Sequence, residues 1–429
     1  MLGACSGSAG QPGSLGSGGA SATGGRVGGS GDDAGVASGG TNGGGTASPD
    51  GSAGTQGTGT GGGGTGGRAP SGSGGGGGAS ATGGSPATGG RGGVSGGTGG
   101  AVGPNPTAAT RMLCTGTNPI ACHFGGAPGN YDVTVVLGGA AAAATTVGAE
   151  ANRVMLPTVA TAAGQSRRLS FSVNVRQPEG EPIQAVSPGT PGLDVYFFGA
   201  NGLAPALQSI GYAAAPAPFM IYLAGDSTVC DQTDTNYGGW GQIFPRYFDF
   251  PVVVANYADS GESSGSFLAS ANLFGAITSR LKPNDWVLIQ FGHNDKTNTG
   301  LNFHDNMTAL VAGVKAKGAF PVLITPEARA QFDATTNQVS PQHINSTGAD
   351  LPAIVKQVGT EQQVPVLDLT ARTVTWLNQL GPNGWQIYHA LGTDVTHTTP
   401  PGAAVVAGFV RDLIVQANLS ALTGHLRAQ

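Results

Sequence analysis

A serine stands directly after a short apolar run in Phe219–Ser227 (FMIYLAGDS), placed to project its hydroxyl beyond the end of a strand. Such a hydroxyl is a poor nucleophile until a base takes its proton. Near the other end of the chain, Asp394-Val395-Thr396-His397 supplies one. A neutral imidazole has one acceptor nitrogen to face Ser227, and one N–H that a carboxylate three residues upstream can hold. Of the seven histidines, only His397 has an aspartate at that spacing in a loop feeding a helix. Two more polar loops follow apolar runs, Asn256–Ser264 around Gly261 and Gly292-His293-Asn294-Asp295. The chemistry these residue types offer is acyl transfer through a serine. Asp226 and Asp295 read as carboxylates that fix loop geometry through backbone N–H groups.

The elements that must position these loops are legible around them. Apolar runs at 219–224, 252–255, 286–291, 321–325 and 364–369 suit central strands covered on both faces. Helical stretches at roughly 264–281, 302–317, 348–358 and 402–417 separate or follow them. This βα alternation predicts a doubly wound parallel sheet over 217–429, with its site at the carboxyl ends of the strands. From 104 to 216 the rhythm differs: 131–137, 169–175 and 193–197 alternate apolar and polar residues between turn-rich segments, which predicts a small all-β sandwich. Asn174 and Arg176 on one of these strands read either as ligand contacts or as the solvated face of a sheet.

Four blocks, G-D-S, a glycine after the second strand, G-x-N-D and D-x-x-H, occur here in order. In this the chain resembles the GDSL/SGNH hydrolases. The strings GDSTV, GGWGQ (238–242), VLIQFGHND and DVTHTTPPGA resemble the rhamnogalacturonan acetylesterase branch, over about 219–417. The resemblance implies a flavodoxin-like α/β fold, a triad of Ser227, Asp394 and His397, and an oxyanion hole built from the Ser227 and Gly261 backbone N–H groups and the Asn294 amide. It implies no metal or organic cofactor, and an acetylated plant polysaccharide as substrate, with rhamnogalacturonan first. Acetylated xylan, another glycan or lipid-like esters are the same-mechanism alternatives; an inactive carbohydrate-binding protein is the alternative of another class. Trp240, His293 and Arg329 are candidate substrate contacts, with a packed core tryptophan and a structural histidine as the competing readings. Two positions depart from the family pattern: Glu262 stands where relatives carry a basic residue, and T-P-x-x-R-R has become Thr325-Pro326-Glu327-Ala328-Arg329-Ala330. An acidic uronate backbone would prefer positive charge there.

Composition sets the remaining bounds. Net charge is −5 with 19 Lys+Arg, so no basic field for nucleic acid exists, and no apolar run reaches the length of a membrane span. More than half of the 78 glycines precede position 104, where 6–103 is almost wholly Gly, Ser, Thr and Ala without an aromatic residue. Such a segment cannot offset its backbone entropy by burial, so 1–103 is expected to be a disordered tether. Leu2-Gly3-Ala4-Cys5 is similar to the end of a bacterial lipoprotein signal, which places Cys5 as a lipidation site and the start codon further upstream; an ordinary thiol is the alternative. The protein is then a secreted or cell-surface lipoprotein and a monomer. Cys114 and Cys122 flank a short turn and form either a small disulfide in an oxidising compartment or two thiols.

Overall fold

The computed structural model describes residues 103–176, 191–339 and 342–428, all within one compact unit, Arg91–Gln429. The expected tether, with Cys5, lies outside the described residues except for Gly103.

The first part opens with the short helix α1 (Ala108–Arg111) and is otherwise antiparallel. Strands β1 (Cys114–Thr115), β2 (Ile120–Phe124), β3 (Gly129–Gly138), β4 (Ala143–Ala149), β5 (Arg153–Thr161), β6 (Ser166–Val175), β7 (Leu193–Gly199) and β8 (Leu207–Ala214) form two sheets, ordered β1-β2-β7-β4-β5 and β6-β3-β8. Alternation decides which side chains turn inward. On β3, Val133, Val135 and Leu137 enter a core shared with Phe124, Val147, Phe171, Leu193 and Phe197 from both sheets. The intervening Asp132 and Thr134 pair across the strand with Ser172 (2.6 Å) and Ser170 (2.7 Å). Cys114 and Cys122 face each other across β1–β2 and are joined by a disulfide. Asn174 donates to Asn130 (2.8 Å), and the Arg176 guanidinium lies over the Tyr257 ring; both are buried.

The second part is α/β. Strands β9 (Phe219–Gly225), β10 (Val252–Asn256), β11 (Trp286–Gln290), β12 (Phe320–Ile324) and β13 (Val366–Leu367) are all parallel, in the order β10-β9-β11-β12-β13. Counted within this sheet the order is 2-1-3-4-5, the flavodoxin-like winding, whose crevice lies beyond the carboxyl ends where the order reverses. Successive β9 residues feed opposite cores. Met220, Tyr222 and Ala224 pack with α3 (Ser264–Ala269), α4 (Phe274–Arg280), α5 (Gly300–Lys315) and α6 (Leu351–Glu361). Ile221 and Leu223 pack with α2 (Trp240–Ile243) and with α8 (Pro400–Gln416).

Two of the elements expected in the α/β part differ. The helix expected over 264–281 is two pieces, because Ser270 adopts extended backbone at the end of α3 (φ −80°, ψ 121°). The strand expected over 364–369 shrinks to β13, since the Asp368 side chain accepts the Ala371 N–H and starts α7 (Leu369–Leu380), a helix the sequence reading did not anticipate.

Candidate active site

Ser227 sits two residues beyond β9, in a tight turn that its neighbour Asp226 builds. The Asp226 carbonyl accepts the Val229 and Cys230 N–H groups (3.0 and 3.1 Å), while one carboxylate oxygen accepts the Thr228 N–H (3.0 Å) and hydroxyl (2.8 Å). The other oxygen lies 3.4 Å from the His293 ring. Burial opposes ionisation of this carboxyl, yet the His293 ring and the Thr228 bonds hold it below its usual range. The loop-fixing role expected of Asp226 is thus visible atom by atom.

The Ser227 hydroxyl, in a residue only 5% exposed, is 2.9 Å from His397 Nε2. His397 Nδ1 in turn is 2.8 Å from Asp394 Oδ2. The other Asp394 oxygen accepts the Thr396 and His397 backbone N–H groups (2.8 and 3.0 Å), so one carboxylate shapes the loop and orients the ring. Burial pushes the Asp394 carboxyl up, but the His397 and Thr396 hydrogen bonds outweigh it and leave it below the ordinary value. Just beyond, the Thr399 hydroxyl caps α8 and Pro400 occupies its first turn, which is why the chain leaves the loop as a helix.

Gly261 and Asn294 meet through their loops. Gly261 has φ +81°, a conformation that favours glycine, and no atom lies within 4 Å of where a Cβ would stand. Asn294 Nδ2 donates to the Glu262 carbonyl (3.1 Å), which leaves its second N–H for another acceptor. Asp295 pins the same region, accepting the Ser264 N–H and hydroxyl (2.6 Å) and the Asn298 amide (2.7 Å); burial nonetheless raises its pKa.

Of the three candidate substrate contacts, Trp240 and His293 take the competing, structural reading, and Arg329 is only partly buried. Trp240 is 1% exposed and donates its indole N–H to Gln290 (2.9 Å), so it is a core residue and offers no stacking wall. His293 is 2% exposed, wedged against Asp226 and the His343 ring (4.6 Å between centroids), beyond the reach of a ligand. Arg329 donates to the Thr396 hydroxyl and to the His293 carbonyl (3.0 Å), which makes it a brace between the two loops. Glu262, the acidic departure, is itself buried. Glu327 is buried beneath the site, where burial and then the Asp226 charge push its pKa well up.

Other neighbours went unremarked in the sequence. The Tyr237 ring stands edge-on to His397, 5.8 Å between centroids. Gln290, the last residue of β11, donates to the Thr228 hydroxyl (2.8 Å). In the GGWGQ string, a Cβ on Gly239 would fall 2.1 Å from the Cys230 carbonyl, and one on Gly241 would fall 2.4 Å from that of Val229. The string is therefore a backbone-packing surface for the serine loop. No group of His, Cys, Asp or Glu side chains suited to hold a metal occurs among the described residues.

Fold and site together define an SGNH-type α/β hydrolase. Residues 223–405 match the model of the GDSL-like lipase/acylhydrolase family. The Bacillus subtilis rhamnogalacturonan acetylesterase RhgT is 34% identical over 227 residues, 49% of this chain and 94% of that protein. The rhamnogalacturonan acetylesterase of Emericella nidulans is 37% identical over 90 residues, 21% of this chain and 34% of its own length. The solved structure of the Bacillus subtilis protein YxiM is 24% identical, with a TM-score of 0.44, and the match covers 70% of this chain and 80% of that one. This chain belongs to the GDSL-like lipase/acylhydrolase family and is a carboxylic ester hydrolase.

Proposed function

We propose that the protein removes acetyl groups from a plant cell-wall polysaccharide, rhamnogalacturonan first among them, through an acetyl-enzyme on Ser227. The observation that carries this reading is the unbroken hydrogen-bonded line Ser227–His397–Asp394 at the carboxyl edge of the sheet. The similarity to RhgT points to the substrate class. As His397 Nε2 takes its proton, Ser227 Oγ attacks the acetyl carbonyl, and Asp394 steadies the imidazolium through Nδ1–H. The Ser227 and Gly261 N–H groups and the free Asn294 N–H take the oxyanion. Collapse breaks the C–O bond to the sugar, whose oxygen receives the proton from His397. Water, activated by the same ring, then releases acetate and restores the serine.

A second reading has its own support. Glu262 replaces a basic residue and Arg329 is engaged within the protein, which lessens the positive charge an acidic backbone would prefer. The same mechanism on acetylated xylan or another neutral glycan fits that. Acetate release from a panel of acetylated pectins and xylans decides between them. Greater kcat/KM on rhamnogalacturonan supports the first reading, and release confined to xylan or to long-chain esters rejects it.

The organisation we propose is a tether over 1–103, a β-sandwich over 104–216 and the esterase over 217–429, exported and held at the cell surface through Cys5. The Cys114–Cys122 disulfide suits an oxidising compartment. Fractionation of cells making the protein with and without Cys5→Ala tests the anchor: equal solubility of both forms rejects it.

A further inference from the structure

The tip of the β4–β5 hairpin reaches from the antiparallel part onto the segment that follows Ser227. Arg153 Nε donates to Asp231 Oδ2 at 2.7 Å, and both side chains are fully buried. Arg153 also donates to the Asn174 carbonyl on β6 (2.5 Å). The second Asp231 oxygen accepts the Asn256 amide (2.9 Å), and Asn256 donates as well to the Val229 carbonyl (2.9 Å). One carboxylate therefore joins β5, the end of β10 and the serine turn. Beside it, Asn152 Nδ2 donates to the Gln232 carbonyl (3.1 Å), and Gln242 Nε2 bridges the Ala151 and Gln232 carbonyls (3.0 and 2.9 Å). Gln232 Nε2 then donates to the carbonyl of Ser227 itself, at 2.8 Å.

We infer that Arg153 is a positioning residue for the nucleophile, and that the hairpin tip is a working part of the esterase site. A fully buried ion pair is weak evidence for stability, because desolvation offsets most of its attraction. What it supplies is geometry: the forked guanidinium ties one Asp231 oxygen to the Asn174 carbonyl while Asn256 holds the other oxygen, and Asp231 lies only four positions after Ser227. The tip is suited to this, since Glu150 and Asn152 are locked at positive φ and the Asn152 N–H closes a 2.8 Å bond to the Glu150 carbonyl. Any slack there passes to Ser227 directly through Gln232. The inference rests on Ser227 being the nucleophile.

The test measures kcat and KM of the full chain on a small soluble acetate ester, with thermal midpoints, for Arg153→Met, Arg153→Lys, Asn152→Gly and Ser227→Ala. Misplacing a reacting group by about 1 Å costs on the order of 10²-fold in rate, so Arg153→Met is expected to lose about that in kcat with KM changed less than about threefold. Arg153→Lys, which keeps the charge without the fork, is expected to recover about tenfold of it. A folded Arg153→Met with kcat within twofold of the parent, or one that loses only KM, overturns the inference. Should Arg153→Met fail to fold, Asn152→Gly decides, because glycine keeps the positive φ and loses only the amide's contacts to the Gln232 and Thr233 carbonyls. A several-fold fall in its kcat at an unchanged midpoint supports the inference, and an unchanged kcat overturns it. Activity surviving in Ser227→Ala instead rejects the nucleophile, which separates the two failures.

Discussion

Acid should weaken this protein through His389, eight residues before His397. The His389 ring is 2% exposed, packs edge-on against Trp385 (5.1 Å between centroids) and lies with Nδ1 2.9 Å from the Asp394 carbonyl. Burial pulls its pKa down from 6.5 to about 4. The sign follows from proton counting: between these values the unfolded chain holds a proton that the folded one does not, so stability falls as pH drops below 6.5. At about 1.4 kcal/mol per unit, the loss attributable to His389 is about 2 kcal/mol at pH 5 and about 3 kcal/mol below pH 4. Asp394 adds little at pH 5, because its ordinary value of 3.8 and its lower folded value both lie beneath that pH. The variant His389→Asn removes the titration while an amide N–H can still reach the carbonyl. Urea unfolding of parent and variant at pH 7 and pH 5 isolates the effect, since every other titrating group cancels in the difference of differences. The stability gap between the two proteins should shift by about 2 kcal/mol in favour of the variant at pH 5. Parallel pH curves would refute the reasoning and return His389 to an ordinary loop residue.

Two further perturbations address the site. Asn294→Ala should lower kcat by about 10²–10³ with little change in KM, since an oxyanion donor acts in the transition state; steady-state kinetics that show a loss in KM alone would place Asn294 in substrate binding. Gly241→Ala puts a methyl 2.4 Å from the Val229 carbonyl and 2.6 Å from Leu223 Cδ1, so it should cost about 1–3 kcal/mol in urea unfolding and reduce turnover with it; unaltered stability would show that the string packs less closely than described.

The parallel sheet was legible because its strands are buried on both faces and so read as apolar runs, as β10 and β11 do up to their last residues, Asn256 and Gln290. Ser227, Asp394 and His397 were legible as residue types at strand and helix boundaries, and the structure brings them within hydrogen-bonding distance. The competing readings of Trp240, His293 and Arg329 stayed open in the sequence for a common reason. Each stands beside a catalytic-looking motif, and local sequence does not reveal that its polar atoms are turned inward, toward Gln290, Asp226 and Thr396. The α7 helix was hidden by Asp368, which reads as the end of an apolar strand and serves as a cap. The bond from Arg153 to Asp231 spans 78 positions, and no periodicity or local motif encodes a contact of that range.

The central claim is that Ser227 carries the acyl group between the two half-reactions. Its most direct test is mass spectrometry of the protein quenched in acid during turnover of an activated acetate ester. A single acetyl group on the peptide containing Ser227, absent from Ser227→Ala and accumulating in His397→Ala after slow loading, is the expected result. Turnover without acylation of that peptide, or the same label persisting in Ser227→Ala, would contradict the account.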